Sequence, residues 1–138
     1  MRIHTEVEVA APRERVWEVL VDLARYAEWN PFMVRIDGKA EVGAKITIEI
    51  APPNMRRRKM RERVHRVIPN EELRWGAGVR GLLLGDHYFR LETAGAGTRV
   101  LHYEDFTGIV VPLVKGLLAN IQRGFEMTNE ALKRRVEG

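Results

Sequence analysis

Two histidines and a glutamate occupy positions where strand alternation could bring them together. In GDHYFRLE, residues 85–92, His87, Phe89 and Leu91 share one face, while Asp86, Tyr88 and Arg90 share the other. In TRVLHYEDF, residues 98–106, Val100, His102, Glu104 and Phe106 share a face in the same way, because successive strand side chains point to opposite sides. Three chemistries fit this triplet: a structural His–Glu hydrogen-bond network, a polar patch that orients a ligand's oxygen on an apolar wall, or an acid–base or metal site. A His-x-Glu pair can chelate, but a metal centre needs a third and a fourth ligand. The sequence offers none, so no metal is expected. His102 and Glu104 could also move protons, but no residue identifies a substrate. There is no cysteine, which removes disulfides, thiolate metal sites and a thiol nucleophile. Neither a Ser-His-Asp spacing nor a dinucleotide fingerprint is present, and no cofactor is expected.

Aromatic side chains form a second group. RYAEWNPF, residues 25–32, places Tyr26, Trp29 and Phe32 around Asn30-Pro31, with Trp17 shortly before. A residue preceding proline is pushed out of the helical region, so Trp29 and Phe32 flank an element junction, where pocket mouths are common. They either pack the helix against its neighbours or wall a binding space. Trp75, before Gly76-Ala77-Gly78, has the same two readings, whereas Trp17 is read as structural.

The elements that would position these residues are legible from their periods. Ile3, Thr5, Val7 and Val9 alternate with polar neighbours, as in a half-buried strand. APRERVWEVLVD reads as a helix with Val16, Val19, Leu20 and Leu23 on one face, and LARYAEW as a second short one. From Met33 to Thr107 the signals are β: MVRID, KITIEI, KMRERVHRVI, ELRWGAG, LLLGDHYFRLE and TRVLHYEDF, separated by Asp-Gly, Pro-Pro-Asn, Pro-Asn and Gly-Ala-Gly turns. Six such runs with short connections predict an antiparallel meander. The Gly-Ala-Gly joins two strands, so it reads as a hairpin and not as a phosphate-binding loop.

After Val111 the period becomes helical, with Val114, Leu118, Ile121, Phe125, Leu132 and Val136 in one stripe and Leu113, Leu117 and Met127 widening it. Some 25 residues of helix reach about 37 Å, enough to cross a small sheet. Gly116 and Gly124 interrupt it, each costing about 1 kcal/mol relative to alanine. Such glycines imply either close approach to the sheet or space beneath the helix.

At 138 residues the chain is expected to form one domain over residues 1–138. With 45% apolar and 30% charged residues it has the composition of a globular protein. The N-terminus lacks a hydrophobic signal core and no apolar run is long enough to span a bilayer, so the expected setting is cytoplasmic. The net charge of +4 is concentrated in MRRRKMRERVHR, residues 55–66. That run could attract an acidic partner, but it lacks interleaved aromatics for base stacking. Nucleic acid is therefore not the expected partner, and the run reads as a solvated strand face.

The order strand, two short helices, six strands and one long helix, with EVEVAAPRERVWEVLVDLARYAEWNPF, PNEELRW, GDHYFRLE, GAGTRVLHYEDFTG and VPLV in sequence, resembles the START-like helix-grip superfamily. Within it the chain is similar to the SRPBCC, or polyketide cyclase/dehydrase-like, branch. The resemblance implies an α+β fold, a curved antiparallel sheet of about seven strands (β-α-α-β6-α) gripping the C-terminal helix at its rims, with an apolar cavity between. It places His87, Phe89, His102, Glu104 and Phe106 on the inner wall and makes Trp29 and Phe32 the entrance. With Trp75, Leu117 and Ile121 these are the expected ligand-binding residues. The implied function is binding or transport of a small hydrophobic or amphipathic ligand, such as a lipid, polyketide or isoprenoid-like molecule, by a monomer or homodimer. Relatives of this kind also include cyclase or dehydratase enzymes using the same cavity, and chaperone- or ribosome-binding proteins, for which the 55–66 run would serve.

Overall fold

The computed structural model describes all 138 residues. Strand β1 (Arg2–Val9) is followed by helix α1 (Arg13–Val21) and a 3-10 helix over Leu23–Glu28. Six strands come next: β2 (Met33–Asp37), β3 (Lys45–Ile50), β4 (Arg58–Ile68), β5 (Glu72–Val79), β6 (Leu83–Ala94) and β7 (Gly97–Thr107). A 3-10 turn over Val111–Val114 leads into α2 (Lys115–Glu137). All the expected elements are present. The second short helix takes 3-10 form, and α2 begins at Lys115, not Val111.

The seven strands form one antiparallel sheet in the order β1-β7-β6-β5-β4-β3-β2. Six are consecutive hairpin neighbours, and β1 closes onto β7. The sheet's two edges are therefore β1 and β2, and α1 with the 3-10 helix carries the chain from one edge to the other. Asn30 ends that crossing. Its Oδ1 accepts the backbone N–H of Phe32 and of Met33, both at 2.9 Å, and the Thr128 hydroxyl at 3.1 Å. This buried side-chain cap aims β2 and sends Phe32 inward under α2.

Alternation along the strands builds the core, with Ile46, Ile48, Ile50, Val64, Leu73, Phe89, Leu91 and Val100 on the concave face. Onto it α2 lays Leu118, Ile121, Phe125, Leu132 and Val136. Leu113 and Met127, expected to widen this stripe, are instead exposed. Leu113 lies in the 3-10 turn before the helix starts, and Met127 faces outward.

Only one of the two helix glycines answers to the sheet. A Cβ on Gly124 would collide with the Phe32 ring, whereas one on Gly116 would meet nothing. Gly124 thus marks close approach at the middle of α2, whereas Gly116 is exposed and the space beside it is solvent. The helix is gripped through its second half: Asn129 bonds Thr5 of β1, Lys133 Nζ donates to the Glu8 carbonyl at 2.8 Å, and Arg15 of α1 bonds the Val136 carbonyl at 3.2 Å. The cavity expected beneath its centre lies instead under its first half.

Candidate functional site

Two neighbouring chambers lie between the concave sheet and the first half of α2. The outer one, about 180 Å³, is lined by Ile50, Arg58, Met60, Leu83, Glu104, Phe106, Val114, Leu117, Leu118 and Ile121. The inner one holds only about 30 Å³ of space, and is walled by Phe32, Met33, Ile48, Ile50, Met60, Glu62, Trp75, His87, Glu104, Ile121 and Phe125. Ile50, Met60, Glu104 and Ile121 belong to both. Apart from Arg58, the polar side chains facing these spaces are Glu62, His87 and Glu104.

His87 and Glu104 face each other in register across β6 and β7, and Trp75 of β5 is the neighbour of His87 on its other side. The Trp75 and His87 rings stack at 4.4 Å with an 8° interplanar angle. His102 lies one layer deeper, stacked on Phe125 at 3.9 Å. His87 Nε2 and His102 Nε2 are 2.7 Å apart, and His102 Nδ1 is 2.9 Å from Asn129 Oδ1. Asn129 Nδ2 donates to Thr5 Oγ1 at 2.8 Å, and the Thr5 hydroxyl donates to the His102 carbonyl at 3.0 Å. The triplet therefore does not form the His102–Glu104 pairing weighed from the sequence. His102 pairs with His87 and Asn129, and Glu104 stands apart.

With Asn129 Nδ2 donating to Thr5, one proton assignment follows along this chain of bonds. Thr5 gives its proton to a carbonyl, so Asn129 must present NH₂ to Thr5 and its oxygen to His102. His102 then carries its proton on Nδ1 and leaves Nε2 bare. His87 must donate from Nε2, which leaves His87 Nδ1 as a lone pair. That atom is buried and has no partner. Both imidazoles are neutral: burial lowers His102 to about 3, and burial with the adjacent His102 holds His87 well below the usual histidine range.

The carboxyls are displaced the other way. Glu62 is 7% exposed, and burial, helped by Asp86 behind the sheet, raises it to about 7. Burial raises Glu104 well above the usual carboxylate range, with Glu62, Asp86 and Asp105 adding to it. Glu62 gives up its proton first, and its charge then hinders Glu104. Gly85 makes the Glu104 position possible, since a Cβ there would lie 2.6 Å from Glu104 Oε2. At neutral pH the inner wall thus carries an acid that can donate beside an imidazole that can only accept.

Of the residues singled out in the sequence, Phe32, Trp75, His87, Glu104 and Ile121 border the inner chamber, and Glu104, Phe106, Leu117 and Ile121 the outer one. Phe89 and His102 are fully buried behind that wall, Phe89 with its ring centroid 4.2 Å from that of His102. Trp29 borders neither chamber and packs on Tyr26 at 4.8 Å. Tyr26 itself is core, its hydroxyl donating to the Leu20 carbonyl at 2.7 Å. Trp29 and Phe32 therefore do not form one entrance: Phe32 is an inner wall, only 2% exposed. The outer chamber lies by the Val111–Val114 turn, which is joined to the β5–β6 turn through Ile109 N to Gly81 O (3.0 Å) and Val110 N to Leu82 O (3.2 Å). Val79, Leu82, Ile109 and Leu113 are exposed around these turns.

Glu62, Asn129 and Thr5 were not among the residues singled out as site candidates. Glu62 shares its face with Met60 and Val64, so strand parity alone would place it inside. Asn129 stands four residues after Phe125 in the apolar stripe, where a polar residue signals a buried bond. In the basic run Arg61 and Arg63, with Lys45, border a groove over Gly76-Ala77-Gly78 that Glu62 also lines, whereas Arg58 borders the outer chamber. No group of three or more His, Cys, Asp or Glu side chains is arranged to hold a metal ion. No helix is long and apolar enough to cross a membrane.

Solved structures of other proteins share the fold. The Zhui aromatase/cyclase from Streptomyces sp. R1128 is similar in structure, with a TM-score of 0.81 at 18% identity, over 99% of this chain and 93% of that one. TTHA0849 from Thermus thermophilus gives 0.78 at 17% identity, covering 99% and 97%. CV1439 from Chromobacterium violaceum gives 0.75 at 20% identity, covering 100% and 99%. At these identities the likeness establishes the fold alone. No curated protein matches the chain by sequence. The family model described as polyketide cyclase/dehydrase and lipid transport matches residues 1–137; with a helix-grip fold enclosing an apolar cavity, the chain belongs to that family.

Proposed function

We propose that the protein binds a small hydrophobic or amphipathic molecule in the chambers beneath the first half of α2. The observation that carries this reading is the outer chamber: about 180 Å³ of space walled by aliphatic and aromatic side chains where the core could have closed. Interiors normally pack to crystal density, and a void of this size costs stability unless something fills it. An apolar cavity of about 150 Å³ holds a benzene molecule, so the space suits one ring or a short branched chain. Burying roughly 200 Å² of such a ligand contributes about 5 kcal/mol before association costs. Affinity then comes from dehydration and shape, with the polar inner wall fixing orientation.

A cyclase-like enzyme is the second reading, favoured by Glu104 and His87, an acid and an acceptor in register on one wall. The size of the space weighs against it, since a multi-ring intermediate does not fit without opening the helix end. Binding is tested by Leu117→Trp, which fills the outer chamber from the helix side. Toluene should raise the melting temperature of the wild type, as a ligand of the folded state does, and leave that of the variant unchanged. Equal responses in both proteins would place the ligand elsewhere and end the proposal. Native mass spectrometry of protein purified without added ligand should in addition detect any small molecule retained from the host.

A further inference from the structure

The orphaned nitrogen of His87 says what the ligand's polar end must be. We propose that the inner chamber is a hydrogen-bonding site for the hydroxyl of a neutral, ring-sized alcohol or phenol, which donates to His87 Nδ1 and accepts from the Glu104 carboxyl. The inference rests on the cavity being a ligand site, and it specifies the chemistry of the occupant.

Three observations lead to it. The first is the proton assignment along Thr5, Asn129, His102 and His87, which follows from Asn129 Nδ2 donating to Thr5 across bonds of 2.7–3.0 Å. It leaves His87 Nδ1 as an acceptor, in a side chain only 3% exposed and without a partner. A buried polar atom left unpaired costs about 1–3 kcal/mol, so this nitrogen favours an occupant that donates to it, and a ligand hydroxyl there takes the place of a water. The second is that both His87 and Glu104 border the inner chamber and are register partners on adjacent strands. A hydroxyl both donates and accepts, and so answers both groups at once. The third is charge. Among the inner-chamber residues Glu62 and Glu104 are acidic and none is Lys or Arg. A carboxylate or phosphate entering here would meet two carboxyls and no counter-charge, in a setting where an unpaired buried charge is prohibitive. The cation at hand, Arg58, is exposed and borders the outer chamber. An ammonium group would be accommodated only after a carboxyl lost its proton, which Glu62 holds until about pH 7, and it offers no acceptor to a protonated Glu104. The site therefore discriminates by charge before it discriminates by shape.

The experiment compares toluene, phenol, anisole, benzoate and benzylammonium by calorimetric titration of the full-length protein at pH 6, alongside ¹⁵N NMR of the histidine rings. Phenol and toluene have the same size, so their difference isolates the hydroxyl, and anisole keeps the oxygen while removing the donor. The expected order is phenol tightest by roughly tenfold, toluene and anisole alike, and benzoate and benzylammonium unmeasurable. In the free protein His87 Nδ1 should read as the unprotonated nitrogen and shift on adding phenol but not toluene. His87→Phe preserves the ring on Trp75 and should bind toluene and phenol equally; the NMR assignment stands as the test should that variant not fold. Toluene binding with phenol no tighter, a protonated His87 Nδ1, or a preference for either ion would overturn the hydroxyl site while leaving the apolar pocket intact. Failure of every ring compound to bind would instead remove the pocket reading on which the site rests.

Discussion

At the scale of single residues, two glycines and one glutamate carry opposite messages. Gly124 exists to admit the Phe32 ring, so Gly124→Ala should destabilise by about 1–3 kcal/mol, the usual penalty for overpacking. Gly116 faces open space, so Gly116→Ala should stabilise by up to about 1 kcal/mol through helix propensity. Urea denaturation of the two variants checks both signs. Glu62 makes a prediction in pH. An unfolded glutamate loses its proton near pH 4.5, whereas the folded one holds it until about pH 7. In that window the native state binds more protons, so stability falls as pH rises. His102 acts in the opposite sense: it stays neutral when folded down to about pH 3 while its unfolded form charges below 6.5, so its contribution grows from pH 3 to 6.5. Both wild type and Glu62→Gln contain His102, and their difference isolates the carboxyl. Relative to wild type the variant should gain up to about 3 kcal/mol between pH 4 and pH 8. A flat difference across that range would show that Glu62 is not held protonated.

At the scale of elements, α2 is two objects in one rod. Its second half is pinned to β1 and α1 through Asn129, Lys133 and Arg15, whereas its first half spans a cavity. The pin nearest the site is Asn129, which satisfies His102 and Thr5 together. Asn129→Leu removes the side-chain partner of His102 Nδ1 and one donor to Thr5, whose hydroxyl keeps its bond to the His102 carbonyl; it should cost about 1–3 kcal/mol and raise hydrogen exchange along β1 and β7 at Thr5 and His102 before elsewhere. Loss of stability without that local exchange would assign the effect to packing. This division within the helix was not legible in the sequence, although the helix itself was. Strand parity at His87, Glu104 and Phe106, and the stripe from Leu118 to Val136, depend on local period and could be read directly. Where the cavity lies depends on which large side chains meet across distant strands. Phe32 reaches Gly124 only because Asn30 turns the chain inward, and Phe125 fills the centre by stacking on His102. His102 and Glu104, two residues apart on one face, looked like partners, but side-chain reach joined His102 to Asn129, 27 residues away. Glu62 was hidden for a different reason: it sits in a run of positive charge, between Arg61 and Arg63 on the outer face of the strand.

At the scale of the whole molecule, the question is how an occupant larger than one ring could be housed. The sheet runs from edge β1 to edge β2 with every neighbouring pair antiparallel, so its curvature relaxes at one point only by breaking ladder bonds. The second half of α2 is clamped, with Glu137 also accepting the Ala10 amide at 2.8 Å. What remains is the helix start, held by the paired turns at Ile109–Gly81 and Val110–Leu82 and by Asn120 against Met55 at 3.2 Å. These bonds are few and lie at the surface, the class of structure that opens at low free energy. Enlargement should therefore proceed by lifting the Val111–Val114 turn and the first turns of α2 about the Gly124 region. The prediction is that toluene leaves amide exchange at Ile109 and Val110 unchanged, whereas naphthalene, with a second ring, speeds it several-fold. Exchange at Leu132 and Val136 should be insensitive to both ligands. If naphthalene bound with no change at Ile109 and Val110, the cavity would already be large enough for two rings and its limit would lie elsewhere. If exchange rose at Leu132, the clamp would not hold, and the helix would move as a single body instead of as a hinged lid over a fixed bowl.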